Sequence, residues 1–107
     1  MSTDDGFRAL SSSTRRRLLQ LVRDDERPVG ELAAELAISQ PAVSQHLAVL
    51  RDAGLVVVRP EGRRTMVRAD HDGIAAVAHF FDDYWNGALD RLARAAEADA
   101  SNRREAG

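Results

Sequence analysis

Two short apolar-periodic segments stand only three residues apart in the middle of this chain, and that spacing constrains the fold more than any other feature. The first runs from Glu31 to Leu36, with Leu32, Ala33 and Leu36 as its inward face. The second runs from Gln40 to about Ala53, and Ala37-Ile38-Ser39 joins them. Ser39 is a good N-cap, and Pro41 falls in a first turn, where its missing N–H costs nothing. Gly54 supplies the stop. At about 100° per residue, Val43, Leu47 and Leu50 share one narrow face, while Pro41, Gln45, Ala48 and Asp52 point away and Ser44 lies on a flank. Small Ala33 permits close approach, and Ile38 and Val43 wedge the two helices at a large crossing angle. The unit is a helix-turn-helix. Many such turns carry glycine where Ala37 stands, since an L-residue in the left-handed region costs about 1 kcal/mol, so a slightly more open turn is expected.

The flanks complete the outline. Phe7 and Leu10 mark a short first helix. Ser11-Ser12-Ser13-Thr14 offers N-caps for a second, running to about Asp24 with Leu18, Leu19, Leu21 and Val22 as its stripe. Asp24-Asp25-Glu26-Arg27-Pro28 breaks it. After Gly54, Leu55 to Arg59 and Arg64 to Ala69 read as two strands joined by a turn at Pro60-Glu61-Gly62, with Gly62 free to take positive φ. A long helix closes the chain from about Asp72 to Asp99, with Ile74, Val77, Phe81, Tyr84 or Trp85, Ala88, Leu92 and Ala96 recurring every three or four residues. The expected fold class is mainly α with a small β-hairpin, in the order α-α-α-α-β-β-α: a winged helix-turn-helix. At 107 residues, without repeats or linkers, residues 1–107 read as a single domain. Its ordered core should span about residues 5–100, between a frayed N-terminus and a polar tail from Ser101.

A helix held proud of the body fits the major groove of double-stranded DNA. Its first turns present Ser39, Gln40, Ser44, Gln45 and His46. Glutamine can bond bidentately to adenine, and serine can donate or accept at several base edges. A polar face like this also suits an ordinary surface helix. The hairpin shifts the balance, because Arg59, Arg63, Arg64 and Arg68 stand there against only Glu61. Arginine at a hairpin tip can reach phosphates or enter a narrow minor groove, although charge on a strand edge also discourages aggregation.

Net charge −2 gives no hint of DNA, but the average hides a split: residues 1–68 hold 11 Arg against 9 acids, and residues 69–107 hold 4 against 8. All 15 basic residues are Arg, which a GC-rich coding sequence would also produce. With no cysteine, disulfides, thiolate metal sites and thiol chemistry are excluded. The first residues lack a secretion signal and no apolar run could cross a bilayer, so a cytoplasmic protein without membrane contact is expected. Nothing resembles a phosphate loop, a metal-binding His-Glu-x-x-His helix or a nucleophile elbow, so no enzyme activity and no cofactor are expected.

The segment Ala9-Leu10-Ser11-Ser12-Ser13-Thr14-Arg15-Arg16-Arg17-Leu18-Leu19 is similar to the opening of the ArsR/SmtB-type winged-helix repressors. Val29-Gly30-Glu31-Leu32-Ala33 and Ser39-Gln40-Pro41-Ala42-Val43-Ser44-Gln45-His46-Leu47 resemble that family's helix-turn-helix. Leu50-Arg51-Asp52-Ala53-Gly54-Leu55-Val56 and Glu61-Gly62-Arg63-Arg64 carry the likeness through the wing, over roughly residues 7–92. The resemblance implies a homodimeric bacterial transcription repressor on a pseudo-palindromic operator. Its recognition helix would be residues 40–53 and its wing residues 59–68. DNA contacts map onto Ser39, Gln40, Ser44, Gln45, His46, Arg63 and Arg64, and the first and last helices form the dimer interface through Phe7, Leu10, Phe81, Tyr84, Trp85, Leu89 and Leu92. Metal-sensing members carry cysteines around the helix that matches Val29 to Leu36, and this chain has none. Others hold zinc on the last helix, where Asp70, His71, Asp72, His79, Asp82 and Asp83 do not reproduce the spacing. No metal is expected, with His71, His79 and Asp83 as the weak candidates; His79 and Asp83 are four apart and can share a face. Phe80-Phe81-Asp82-Asp83-Tyr84-Trp85 looks like the metal-independent members. That aromatic segment suits a dimer core or, alternatively, a pocket for an apolar effector. Two further readings are a winged-helix module that docks protein and a repressor switched by metal or small ligand through the last helix.

Overall fold

The computed structural model describes residues 3–106, with side chains to residue 101. Helices α1 (Thr3–Ala9) and α2 (Ser13–Leu21) lead to strand β1 (Arg27–Pro28), helices α3 (Val29–Leu36) and α4 (Gln40–Asp52), strands β2 (Val56–Glu61) and β3 (Arg64–Ala69), and helix α5 (His71–Ala106). The chain packs as two units, one up to Val77 and one from Ala78. No helix among the described residues is long and apolar enough to cross a membrane.

The first unit closes around Leu18, Leu32, Leu50, Leu55, Val22, Val43 and Val67, all with almost no solvent exposure. Each such side chain stabilises the fold by about 1.5–3 kcal/mol relative to exposure. They come from α2, α3, α4, β3 and the residues that directly follow α2 and precede β2, so the core lies directly beneath the helix-turn-helix and fixes its pose. Ser12 caps α2, its Oγ accepting from Arg15 N at 3.3 Å. The corner between α1 and α2 has no glycine. Arg15 Nε donates to Ala9 O at 2.6 Å, Arg15 Nη2 to Arg8 O at 3.2 Å, and Arg16 Nη1 to Leu10 O at 2.8 Å. Two guanidiniums thus satisfy the carbonyls that the end of α1 leaves without helical partners.

Several expectations are corrected. α2 stops at Leu21 rather than near Asp24, because Val22 turns inward and its carbonyl accepts from Ala69 N at 3.3 Å. α3 starts two residues early, at Val29. The sheet has three strands, ordered β1-β3-β2, not two: Arg27 pairs with Val67 and Pro28 with Met66. The order is therefore α-α-β-α-α-β-β-α. A two-residue strand ending in proline has no detectable alternation, and proline is tolerated at a sheet edge. β2 extends through Pro60 to Glu61, so the turn is Gly62-Arg63 alone, with Glu61 opposite Arg64. Gly62 has φ +61° and Arg63 does not share the positive φ, the pattern of a type II′ hairpin. Pro60 fits because β2 is also an edge strand. α5 does not end at Asp99 but runs to Ala106, consistent with an Ala-rich stretch free of glycine and proline from 88 to 106. Of the expected frayed ends, Met1, Ser2 and Gly107 lie outside the described residues.

α3 and α4 end in the same motif. Ala37 N donates to Ala34 O and Ile38 N to Ala33 O, both at 3.2 Å; Gly54 N donates to Arg51 O and Leu55 N to Leu50 O, both at 2.9 Å. These are Schellman closures with the left-handed residue at Ala37 (φ 54°) and Gly54 (φ 78°). The turn keeps the same closure with alanine in the left-handed position, and both of its bonds are longer than those at Gly54. Asp70 begins α5, its Oδ1 accepting from Gly73 N at 3.2 Å, and a Cβ on Gly73 would lie 1.7 Å from Gly54 O. Glycine at position 73 is what lets the start of α5 meet the end of α4.

Candidate nucleic-acid interface

Helix α4 is oriented by Val43, Leu47 and Leu50, which are buried, so its remaining faces are fixed. Pro41, Gln45 and Asp52 lie on the outward side and are exposed. Gln40, Ser44 and Arg51 form the flank turned toward the wing, while His46 occupies the other flank and is half-buried. Ser39 caps the helix, its Oγ accepting from Ala42 N at 3.2 Å, which leaves its hydroxyl proton to donate elsewhere.

The wing meets this flank. Gln40 and Ser44 line one groove of about 400 Å³ together with Arg63, Arg64, Thr65 and the start of α3. Four of the seven residues singled out for DNA, two from each element, share this concavity. Ser39, Gln45 and His46 are not among its lining residues. Gly30 and Thr65 were missed in the sequence. Gly30 borders the groove so closely that a Cβ there would be 3.4 Å from Gln40 Nε2. Thr65 gives no sequence signal beyond strand propensity, whereas Gly30 in the first turn of a helix is a local oddity that marks a close approach.

The wing arginines are not equivalent. Arg59 Nε donates to Glu26 Oε2 at 2.9 Å, and its Nη2 donates to the other carboxylate oxygen. Those bonds hold the Glu26 carboxyl below its usual range and raise Arg59, hydrogen bonding outweighing the desolvation that opposes it. Arg64 Nη2 stands 3.6 Å from Glu61 Oε2, while Arg63 makes no ion pair among the described residues. The local excess of positive charge read from the sequence is therefore smaller at the surface, because Glu26, distant in sequence, takes up Arg59.

The second unit, taken by itself, is a helix with large apolar side chains in solvent. Phe81 is 48 % exposed, Tyr84 59 %, Trp85 58 %, Leu89 55 % and Leu92 64 %. Phe80 and Phe81 stack edge to face at 5.7 Å, and Tyr84 and Trp85 at 6.0 Å. Phe7 and Leu10, named with them as interface residues, are half-buried and pack against the core of the first unit. Of the metal candidates, His79 Nε2 lies 3.3 Å from Asp83 Oδ2, a one-turn pair with both side chains exposed. Among the described residues, no three His, Cys, Asp or Glu gather as a metal site.

Comparison with known proteins gives this architecture relatives. The profile described as bacterial regulatory protein, arsR family, matches residues 12–58. The HTH-type transcriptional regulator Rv2034 of Mycobacterium tuberculosis is 39% identical over 101 residues, which cover 94% of this chain and 94% of the relative. The HTH-type transcriptional repressor SmtB of the same organism is 40% identical over 82 residues, or 72% of this chain and 61% of the relative. A crystal structure described as a possible transcriptional regulator for arsenical resistance matches with a TM-score of 0.71 and 44% identity, over 83% of this chain and 93% of that one.

Proposed function

This chain belongs to the arsR family of bacterial regulatory proteins and is a DNA-binding helix-turn-helix transcription regulator, not an enzyme; from that premise we propose that it acts as a homodimeric repressor. The observation that carries the reading is the groove lined jointly by Gln40 and Ser44 of α4 and by Arg63 and Arg64 of the wing. Polar groups able to read base edges stand beside cations able to hold phosphates, and that pairing is what a recognition helix in a major groove requires. Ser39, Gln40, Ser44, Gln45 and His46 contact DNA from the helix, and Arg63 and Arg64 hold phosphates or enter the minor groove. The exposed stripe of Phe81, Tyr84, Trp85, Leu89 and Leu92 supports pairing with a second copy, with Phe7 and Leu10 contributing their uncovered surface. Two-fold pairing places two recognition helices on a pseudo-palindromic operator, with half-sites about one helical turn, or a multiple, apart. Residues 1–107 serve as one domain in the cytoplasm, without a cofactor. The repressing sense follows the SmtB relative, which is named a transcriptional repressor.

A gel shift on the duplex covering its own promoter, against a random duplex at moderate salt, tests the reading. Gln45→Ala should lower discrimination between the two by about 1–3 kcal/mol. Arg63→Ala with Arg64→Ala should instead weaken both alike and reduce the slope of affinity against salt by about two. Equal loss on both duplexes for Gln45→Ala would remove base reading from that position.

A further inference from the structure

The face of the wing turned away from the core carries a continuous line of charge that phosphate binding by itself does not require. Strand register determines who shares that face. Val56 and Ala69, Val58 and Val67, and Pro60 and Thr65 pair on one side, which includes the buried residues Val56, Val67 and Ala69. Val57 with Arg68, Arg59 with Met66, and Glu61 with Arg64 therefore occupy the other, on which Met66 is buried though outside the core cluster. Along it, Glu26 holds Arg59 through both carboxylate oxygens. Arg59 Nη2 in turn stands 3.6 Å from Glu61 Oε1, and Glu61 Oε2 stands 3.6 Å from Arg64 Nη2. Glu26 directly precedes β1, the strand that runs into α3, so the line joins the base of the helix-turn-helix to the tip of the wing.

We propose that this Glu26–Arg59–Glu61–Arg64 ladder positions the wing for DNA, with Glu26 and Arg59 as positioning residues and Arg63 and Arg64 as the phosphate contacts. The proposal rests on the wing reading given above. A guanidinium forked onto a carboxylate has its orientation fixed and its charge largely answered, so Arg59 has little to offer a phosphate. Arg64, 62 % exposed and held only by one longer contact, can exchange its carboxylate for a phosphate. Arg63, at the turn, needs no exchange. The two ends of the ladder therefore differ in kind: a fixed anchor at Glu26 and a releasable cation at the tip.

The test is anisotropy titration of the full chain against a labelled random-sequence duplex of about 30 base pairs across a salt series, which isolates phosphate contacts from base reading. Glu26→Gln and Arg59→Gln should each weaken binding about two- to five-fold, with the salt slope unchanged, and the double variant should be no weaker than either alone. Arg59→Lys, which keeps the charge and loses the fork, should weaken binding as Arg59→Gln does. Tighter binding by Glu26→Gln would overturn the proposal, because Arg59 would then be a DNA contact that Glu26 holds back. A fall of about one in the slope for Arg59→Gln, or full activity in Arg59→Lys, would also overturn it. Arg63→Gln should lower the slope by about one. If it does not, the wing-contact reading fails, while the sign of the Glu26→Gln effect still decides the ladder on its own terms.

Discussion

The unit up to Val77 and the unit from Ala78 handle apolar surface in opposite ways. In the first, the large aliphatic side chains are buried or half-buried, Val49 alone among the described residues being exposed, and the polar residues are left to the outside. In the second, Phe80, Phe81, Tyr84, Trp85, Leu89 and Leu92 are all about half or more exposed. One region has used its hydrophobic residues to hold itself together, whereas the other has kept them on its surface. A lone helix gains little stability from propensity and most of it from packing one face. Substitutions in the two regions should therefore be felt in different experiments.

Leu50→Ala should give the largest effect. It removes a fully buried side chain from beneath α4, and unfolding stability should fall by about 2–5 kcal/mol regardless of protein concentration. Trp85→Ala should cost about 2 kcal/mol or more of self-association, read by sedimentation, while denaturant unfolding of the dilute monomer barely moves. A Trp85→Ala variant that unfolds more easily at every concentration would break the contrast between the regions. Ala37→Gly sharpens it within the first unit. The same Schellman closure uses Gly54 without strain and Ala37 with it, so glycine at 37 should raise stability by less than about 1 kcal/mol, the relief being partly offset by the freer unfolded chain. The smallest effect is pH-dependent. Glu26 is held below its ordinary pKa chiefly by hydrogen bonds from Arg59, so the stability this pair supplies is complete above the unfolded carboxyl's pKa and is lost as pH falls through the folded one. The stability gap between wild type and Glu26→Gln, followed by thermal melting, should therefore close on acidification below about pH 4 and stay constant from about pH 6 to 8.

What the sequence revealed follows from the range of each signal. The helix-turn-helix was legible because its determinants are local: Ser39 caps, Pro41 starts, Gly54 stops, and Leu47 and Leu50 keep the helical period. Glu26 gave no local hint of its role, since its partner Arg59 lies across a three-stranded sheet whose edge strand is two residues long. The wing turn was misplaced by one or two residues because Pro60 reads as a breaker unless the strand is known to be an edge. The early stop of α2 depends on a bond between Val22 and Ala69, which no window around residue 22 contains. The groove was half legible: Gln40, Ser44, Arg63 and Arg64 were named, but Gly30 and Thr65 join it only through the meeting of α3 with β3.

The guanidiniums at the corner of α1 and α2 bear on how such a protein searches a chromosome. Arg15 and Arg16 are occupied by backbone carbonyls, Arg27 by Glu31 and Arg59 by Glu26. A guanidinium answered by a carboxylate, as at Arg27 and Arg59, adds little to phosphate neutralisation, and one tied to backbone carbonyls, as at Arg15 and Arg16, keeps its charge but has fewer N–H groups left for a phosphate. The pull of arbitrary sequence is then weak, and fewer molecules are sequestered along the millions of competing positions a genome offers. A regulator can favour one operator partly because these four arginines are turned to its own architecture.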